Sequence, residues 1–587
     1  MHKAYLYPTR FGATPQSDGT TRFALWAPSC ETVSLEIESE APQPMTREAD
    51  GTFVLNTQCA SNARYMYRVR KDLAVPDPAS KDQPDGVHGP SVVTDPQSYQ
   101  WKTTDWNGRP WTEAVIYELH AGLMGGFDGV RNRIDELKAL GITAIEIMPV
   151  NSFGGTRNWG YDGVLPYAPT QAYGDPDSLK RLVDTAHAKG MMVILDVVYN
   201  HFGPDGNFLH EYAEDFFDTE NNSTWGTGIA FAKPQVADFF IDNVLYWLME
   251  FRFDGVRIDA ASAITDHAWF GKLRQRVNET VEPGRYVHLI LENENNDAGL
   301  LRDGYTAQWN DDGHNVLHVM LTGEKEGYYE MFADNPTKIL ARVLHEGFAY
   351  QGEVNPYSGK KRGMPSGDLP ATKFILFLQN HDQTGNRALG ERLISLARPD
   401  ALHAAYALLL LSPMVPMLFM GEEWGCTTPF LFFCDFHDEL ADAVREGRRK
   451  EFAKFASFQD PEKRKTIPDP NALSTFDHSR PDREERATLD GRIWLDRTHT
   501  LLALRKRWLV PRLNDVHSIG ATVIGDKSVL ARWTLDDGTI LSIALNLSEH
   551  ETCKIDEPET LLYSSAARRA VEELPPGSLV AGLEKSA

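Results

Sequence analysis

The sequence predicts an α/β protein: a (β/α)8 catalytic barrel with a β-sandwich before it and an antiparallel β domain after it. Three observations carry this. Short apolar runs alternate with helical patterns through the middle of the chain, which is the rhythm of parallel βα units. Both ends instead carry short β runs of alternating polarity. The chain has 587 residues, too many for one core, since domains usually span ~50–250 residues and barrels lie near or above that limit.

Residues 1–105 read as an immunoglobulin-like sandwich of the kind found in carbohydrate-binding modules. Arg22–Ala27 and Thr32–Ile37 are short alternating runs, separated by Pro28 and Ser29. Val75–Pro96, rich in Pro, Asp and Gly, is the linker toward the next domain. Residues 106–515 form the barrel with insertions. Val115–Leu119 is its first strand, and a helical pattern over Val130–Leu140 ends at Gly141, a C-cap. The strand Ala144–Val150, the helix Leu179–Lys189 ending at Gly190 and the strand Met192–Val198 follow. Later strands are Gly255–Ile258, Val287–Leu291, Lys373–Leu378 and Met417–Met420. With weaker candidates between them the count is about eight, which favours a closed barrel. An open doubly wound sheet would want a glycine-rich phosphate turn after its first strand, and Gly122–Gly126 is a poor one. Residues 516–587 return to β, with Ser528–Trp533 and Thr539–Leu545 flanking the hairpin signal Asp536-Asp537-Gly538.

Net charge is −24, from 59 basic and 83 acidic residues. That argues against nucleic acid and anionic membranes as partners and suits a neutral substrate. The five cysteines have no metal-type spacing, so reduced thiols in a cytoplasmic protein are expected. Met1-His2-Lys3-Ala4-Tyr5 has no apolar run behind its charge, as a signal peptide would. The most apolar stretch, Ala401–Met420, is interrupted by Pro413 and Pro416, so no membrane span is expected. Oligomeric state is not readable.

Catalytic groups of a (β/α)8 barrel gather where strands end, and four strand ends here are charged. The third reads Asp196-Val197-Val198-Tyr199-Asn200-His201. On the fourth, Arg257 and Asp259 are two residues apart and face one side. A guanidinium there would hold the carboxylate ionised, as a nucleophile requires. On the fifth, Glu292 follows the apolar run His288–Leu291, a setting that raises an acid's pKa. The seventh ends in Gln379-Asn380-His381-Asp382-Gln383. Any one of these alone is more often a cap, a turn residue or a structural ion pair. Three carboxylates on three strand ends, with Arg257 beside one and histidines at two, are hard to reach by accident. Paired carboxylates without a metal-ligand cluster point to glycoside hydrolysis: one attacks, one protonates, and the third anchors hydroxyls. Glu294, two residues beyond Glu292, is an alternative acid on spacing alone.

These four segments, in order, resemble the signature regions of the α-amylase family of glycoside hydrolases, over nearly the whole chain. The resemblance implies Asp259 as nucleophile, Glu292 as acid/base and Asp382 as transition-state stabiliser. It also implies that Arg257, His201, His381 and Asp196 line the subsite of the attacked glucose, with Tyr161 as its aromatic platform. The family is retaining, so the two catalytic carboxyls are expected ~5–5.5 Å apart. Asn158–Gly174, Ala307–Tyr329, Phe377–Leu393 and Gly421–Phe433, with the insert 425–480, resemble the trehalohydrolase subgroup. That subgroup cuts the α-1,4 bond next to the trehalose end of maltooligosyl trehalose, the oligosaccharide partner expected here. Glycogen branching enzymes share the sandwich, the barrel and the Trp159-Gly160-Tyr161 entrance, and are the rival transferase reading. A glucan-binding protein with a silent barrel would lack a catalytic carboxylate or the arginine. Candidates for reading the trehalose end are Trp309, Asp311, Asp312, His314, Gln383 and Asn386. Some relatives bind calcium through an asparagine placed like Asn200, but no set of six to eight oxygens can be assembled; no metal or other cofactor is expected.

Overall fold

Eight short parallel strands close into a barrel in the computed structural model, which describes residues 4–221, 226–356, 358–566 and 572–585. In order they are Ile116–Leu119, Ala144–Ile147, Met192–Val197, Gly255–Ile258, His288–Leu291, Ala307–Trp309, Phe374–Phe377 and Val415–Phe419. Alternate residues on each strand face inward. Ile116, Ala144, Ile194, Ile290, Ala307, Ile375 and Val415 thus fill the lower interior as one apolar cluster. One step further along, the same alternation turns Glu118, Glu146, Asp196 and Arg257 toward the barrel axis. Gly255 serves close packing: a Cβ there would come within 2.4 Å of the His288 carbonyl oxygen on the next strand.

The sixth strand, Ala307–Trp309, is the one the apolar pattern hid. Three residues are too few to register as a run. Asn310 then caps the helix Asp311–Thr322, its side chain accepting the Gly313 N–H. The helical pattern over Val130–Leu140 is divided into Gly126–Arg131 and Ile134–Leu140. Its period ran through the break because Val130, Ile134 and Leu137 are buried alike. Gly141 ends the second helix at φ 114°, a left-handed position.

The N-terminal segment forms two facing antiparallel sheets, one built on Thr20–Trp26 and Thr52–Gln58, the other on Ser34–Ile37 and Arg64–Arg70. Phe23 packs edge-on against Tyr65 between them. Tyr65 and Tyr67 are buried and donate to Asp77, and Trp26 lies against Phe216 of a barrel loop. These aromatics therefore belong to the core and the domain junction. Tyr7 and the Arg10 amide both bind Asp242 on the barrel helix Pro234–Met249. At the other end a five-stranded antiparallel sheet, His517–Glu584, packs on the helices Pro336–Glu346 and Pro399–Leu411. No helix among the described residues is long and apolar enough to cross a membrane.

Beyond the eighth strand, Glu422 and Glu423 are buried together. Glu422 accepts the Phe419 N–H, and Glu423 accepts the Tyr117 hydroxyl and the Gly421 N–H. Burial pushes each carboxyl up to about 7 from an ordinary 4.5. The folded chain thus holds protons that the unfolded chain releases. The stability they contribute is full below about 4.5 and is lost as pH rises through about 7. Glu423→Gln should therefore stabilise the protein by roughly 2–3 kcal/mol at pH near 8, with the gain vanishing near pH 4–5. Unfolding curves at both pH values check this; a gain independent of pH would contradict it.

Candidate active site

Arg257 organises the C-terminal mouth of the barrel. It is fully buried, with its guanidinium carbon 4.0 Å from the centre of the Trp309 ring. Nη1 donates to both Asp196 oxygens at 2.9 and 2.8 Å and to Asp259 Oδ1 at 2.8 Å. Nη2 lies 2.9 Å from Glu292 Oε2. One cation thus gathers carboxylates from three neighbouring strands. Burial opposes its charge, but Asp196 and Glu292 outweigh this and set its pKa well above the usual value.

Each carboxylate has a further partner. Asp259 Oδ2 accepts from Asn200 Nδ2 at 2.8 Å, and Asn200 Oδ1 meets His201 Nδ1. Burial lowers the pKa of His201, with Asp162 opposing. Glu292 Oε2 accepts the backbone N–H of Ala260 at 2.8 Å. Ala260 adopts φ 39°, ψ 49°, a left-handed turn that aims its amide at the glutamate. Burial raises the Glu292 pKa, Arg257 opposes and Asp259 adds to the rise. A raised carboxyl suits a general acid. Glu294 is exposed, and its carbonyl oxygen accepts from Arg362 Nε. Glu292, not Glu294, therefore stands beside Asp259 and Arg257.

The rim of the mouth adds aromatic and imidazole groups. Tyr161 donates to Asp196 Oδ2 at 2.6 Å and stacks on His381, ring centres 4.9 Å apart. Burial raises Asp196 to about 7 against the pull of Arg257. His381 donates its backbone N–H to Glu118, and its Nδ1 lies against the same carboxylate. Burial lowers the His381 pKa, but Glu118 reverses this and leaves it raised. Asp382 stands in the first turn of a short helix capped by Asn380, with Asn386 donating to its Oδ1. Burial raises Asp382, and His381 opposes. Gln383 Oε1 accepts the Tyr328 hydroxyl at 3.0 Å.

The Alpha amylase, catalytic domain family matches residues 7–241, and a Domain of unknown function (DUF3459) matches residues 517–580. The malto-oligosyltrehalose trehalohydrolase of Deinococcus radiodurans is 39% identical over 505 residues, 85% of this chain and 83% of its own length. That of Rhizobium sp. (strain M-11) is 37% identical over 93% of this chain and 94% of its own. The chain belongs to the malto-oligosyltrehalose trehalohydrolase family. A crystal structure of a Salmonella typhimurium protein superposes with a TM-score of 0.93 at 42% identity, covering 99% of this chain and all of the other. The 1,4-alpha-glucan branching enzyme of Pseudoalteromonas atlantica matches only 42% of this chain, at 31% identity.

In this trehalohydrolase-family site, the segment expected to read the trehalose end is largely buried. Trp309 is the last residue of the sixth strand, buried beneath Arg257. Asp312 is buried, paired with Arg362 at 2.7 Å and accepting from Asn296 and the Ala349 amide. His314 is buried, bonded to the Leu378 carbonyl and stacked on Phe377. All three are engaged by protein partners in this structure: Trp309 ends the strand, and the helix starting at residue 311 turns Asp312 and His314 inward. Of that group Asp311 alone is half-exposed. Burial raises the Asp311 pKa well above normal, and Glu292 adds to the rise. Gln383 and Asn386 lie on the rim beside Asp382.

The structure adds four groups that sequence reasoning did not assign to the site: Glu118 behind His381, Asn200 on Asp259, the Ala260 amide on Glu292 and Tyr328 on Gln383. Glu118 had a readable signal, its inward place two residues after Ile116. Tyr328 had none, because only folding brings its turn over the seventh strand end. The insert completes the wall: Trp159 stacks on Phe430, Arg157 pairs with Asp435, and Arg448 donates to the Gly385 and Arg387 carbonyls.

Proposed function

We propose that this chain hydrolyses the α-1,4 bond next to the trehalose end of maltooligosyl trehalose, with retention, releasing trehalose and a maltooligosaccharide. The observation that carries the chemistry is Arg257, whose two terminal nitrogens hold Asp259 and Glu292 on adjacent strands. The family named on full-length relatives supports the substrate.

In this mechanism Glu292 protonates the glycosidic oxygen while Asp259 attacks C1, and trehalose leaves as a β-glucosyl ester forms on Asp259. Water, deprotonated by Glu292, then attacks the ester from the opposite face and restores the α configuration. Asp382 and His381 hold hydroxyls of the attacked glucose, and Tyr161 stacks beneath it, with Asp196, His201 and Arg257 lining the same subsite. Asp311, Gln383 and Asn386 are our candidates for the trehalose side. A cytoplasmic location fits the free cysteines Cys30, Cys59, Cys426, Cys434 and Cys553.

Incubation with maltotriosyl trehalose, with amylose in parallel, tests the reading. Free trehalose with α-maltotriose as the first-formed anomer is expected. New α-1,6 branches in amylose without free trehalose would establish a transferase instead. No change in either substrate would remove the catalytic reading altogether.

A further inference from the structure

Glu146 has no part in the mechanism above. It lies on the second barrel strand, in register with Glu118 on the first and Ile194 on the third, and it faces inward. It is only 1% exposed, and among the described residues neither carboxyl oxygen has a hydrogen-bond partner. Buried polar groups are nearly always paired, so an unpaired one beneath an active site calls for a reason.

Its charged neighbours supply one. Glu118 from the first strand is committed to His381. Asp196 from the third strand is held by Arg257 and Tyr161, and Arg257 comes from the fourth. An ionised Glu146 would repel Asp196 and Glu118 and draw Arg257 away from the catalytic pair. Burial, reinforced by Asp196 and Glu118 and opposed by Arg257, raises its pKa well above the carboxylate range.

We propose that Glu146 is a positioning residue that keeps its proton throughout turnover and, as a neutral polar group below Asp196, leaves Arg257 to Asp196, Asp259 and Glu292 alone. A neutral but polar side chain in the layer below Asp196 leaves a less apolar surrounding for that carboxylate than a hydrocarbon would. It does so without a second negative charge competing for the guanidinium. This rests on the hydrolase reading for its kinetic consequences but not for its protonation.

Two variants and one spectroscopic measurement test it. Glu146→Gln keeps shape and neutrality, so kcat and KM on maltotriosyl trehalose should stay within about threefold of the parent. Glu146→Leu removes the polar group; the acid limb of kcat/KM should move up by about one pH unit, with kcat down about tenfold. In protein carrying isotope-labelled glutamate carboxyls, the parent-minus-Glu146→Gln infrared difference spectrum should show one protonated carboxylic acid that persists at pH 9, where Glu422 and Glu423 are ionised. A Gln variant that loses as much as the Leu variant would overturn the proposal by showing that the ionised form is needed. A Leu variant with the parental pH profile would overturn it by making Glu146 a bystander. If the Leu variant does not fold, the infrared comparison decides, and identical protonated-acid bands in parent and Glu146→Gln sink the proposal. That comparison needs no substrate, so a failed substrate assignment is distinguishable from a failed proposal.

Discussion

Asp259→Ala is expected to lower turnover of maltooligosyl trehalose by about 10⁴–10⁶-fold. In the proposed mechanism this carboxylate forms the bond to C1, and the other carboxylates on Arg257 are committed elsewhere. Glu292 is held by the Ala260 amide, and Asp196 is tied to Arg257 and Tyr161. The protein should still fold, because Arg257 keeps Asp196 and Glu292 as counter-charges. Removing the Asp259 charge also removes one influence that raises the Glu292 pKa, so that pKa should fall. Azide provides the specific test. A small anion entering the emptied space should attack from the face Asp259 occupied and give a β-glycosyl azide. Near-parental turnover without azide would mean that the nucleophile lies elsewhere.

Glu292→Gln should cost about 10²–10⁴-fold on the natural substrate, the usual worth of a positioned acid/base. The amide keeps the Ala260 N–H bond through its oxygen but cannot donate a transferable proton. A maltotriosyl fluoride, whose leaving group needs no protonation, separates this role from Asp259. The first step should then recover and the second stay slow, giving one equivalent of fluoride per enzyme and a covalent glycosyl-enzyme detectable by mass. Equal loss on both substrates, with no burst, would remove Glu292 from the acid role.

Two parts of this site were legible for one reason: strands have a period of two. Arg257 and Asp259 had to face one side together, and Glu292 had to follow an apolar strand into a dry setting. Glu118 obeyed the same rule and could have been read from it. The protein partners of Trp309, Asp312 and His314 were not legible, because polar side chains near a strand end look alike whether they meet a sugar or a buried partner. Their partners, Arg362, Asn296 and the Leu378 carbonyl, arrive from other parts of the chain.

The sequence by itself determined the fold class, the strand ends that carry charge and the family to which the pattern belongs. These depend on local periodicity and on residue types at fixed spacing, which a chain displays before it folds. Folding alone placed Glu292 rather than Glu294 beside Arg257, turned Asp312 and His314 inward, and stacked Glu118, Glu146, Asp196 and Arg257 inside one barrel. Burial and the partners of a charge are set by strands far apart in sequence, and they exist only once the barrel closes.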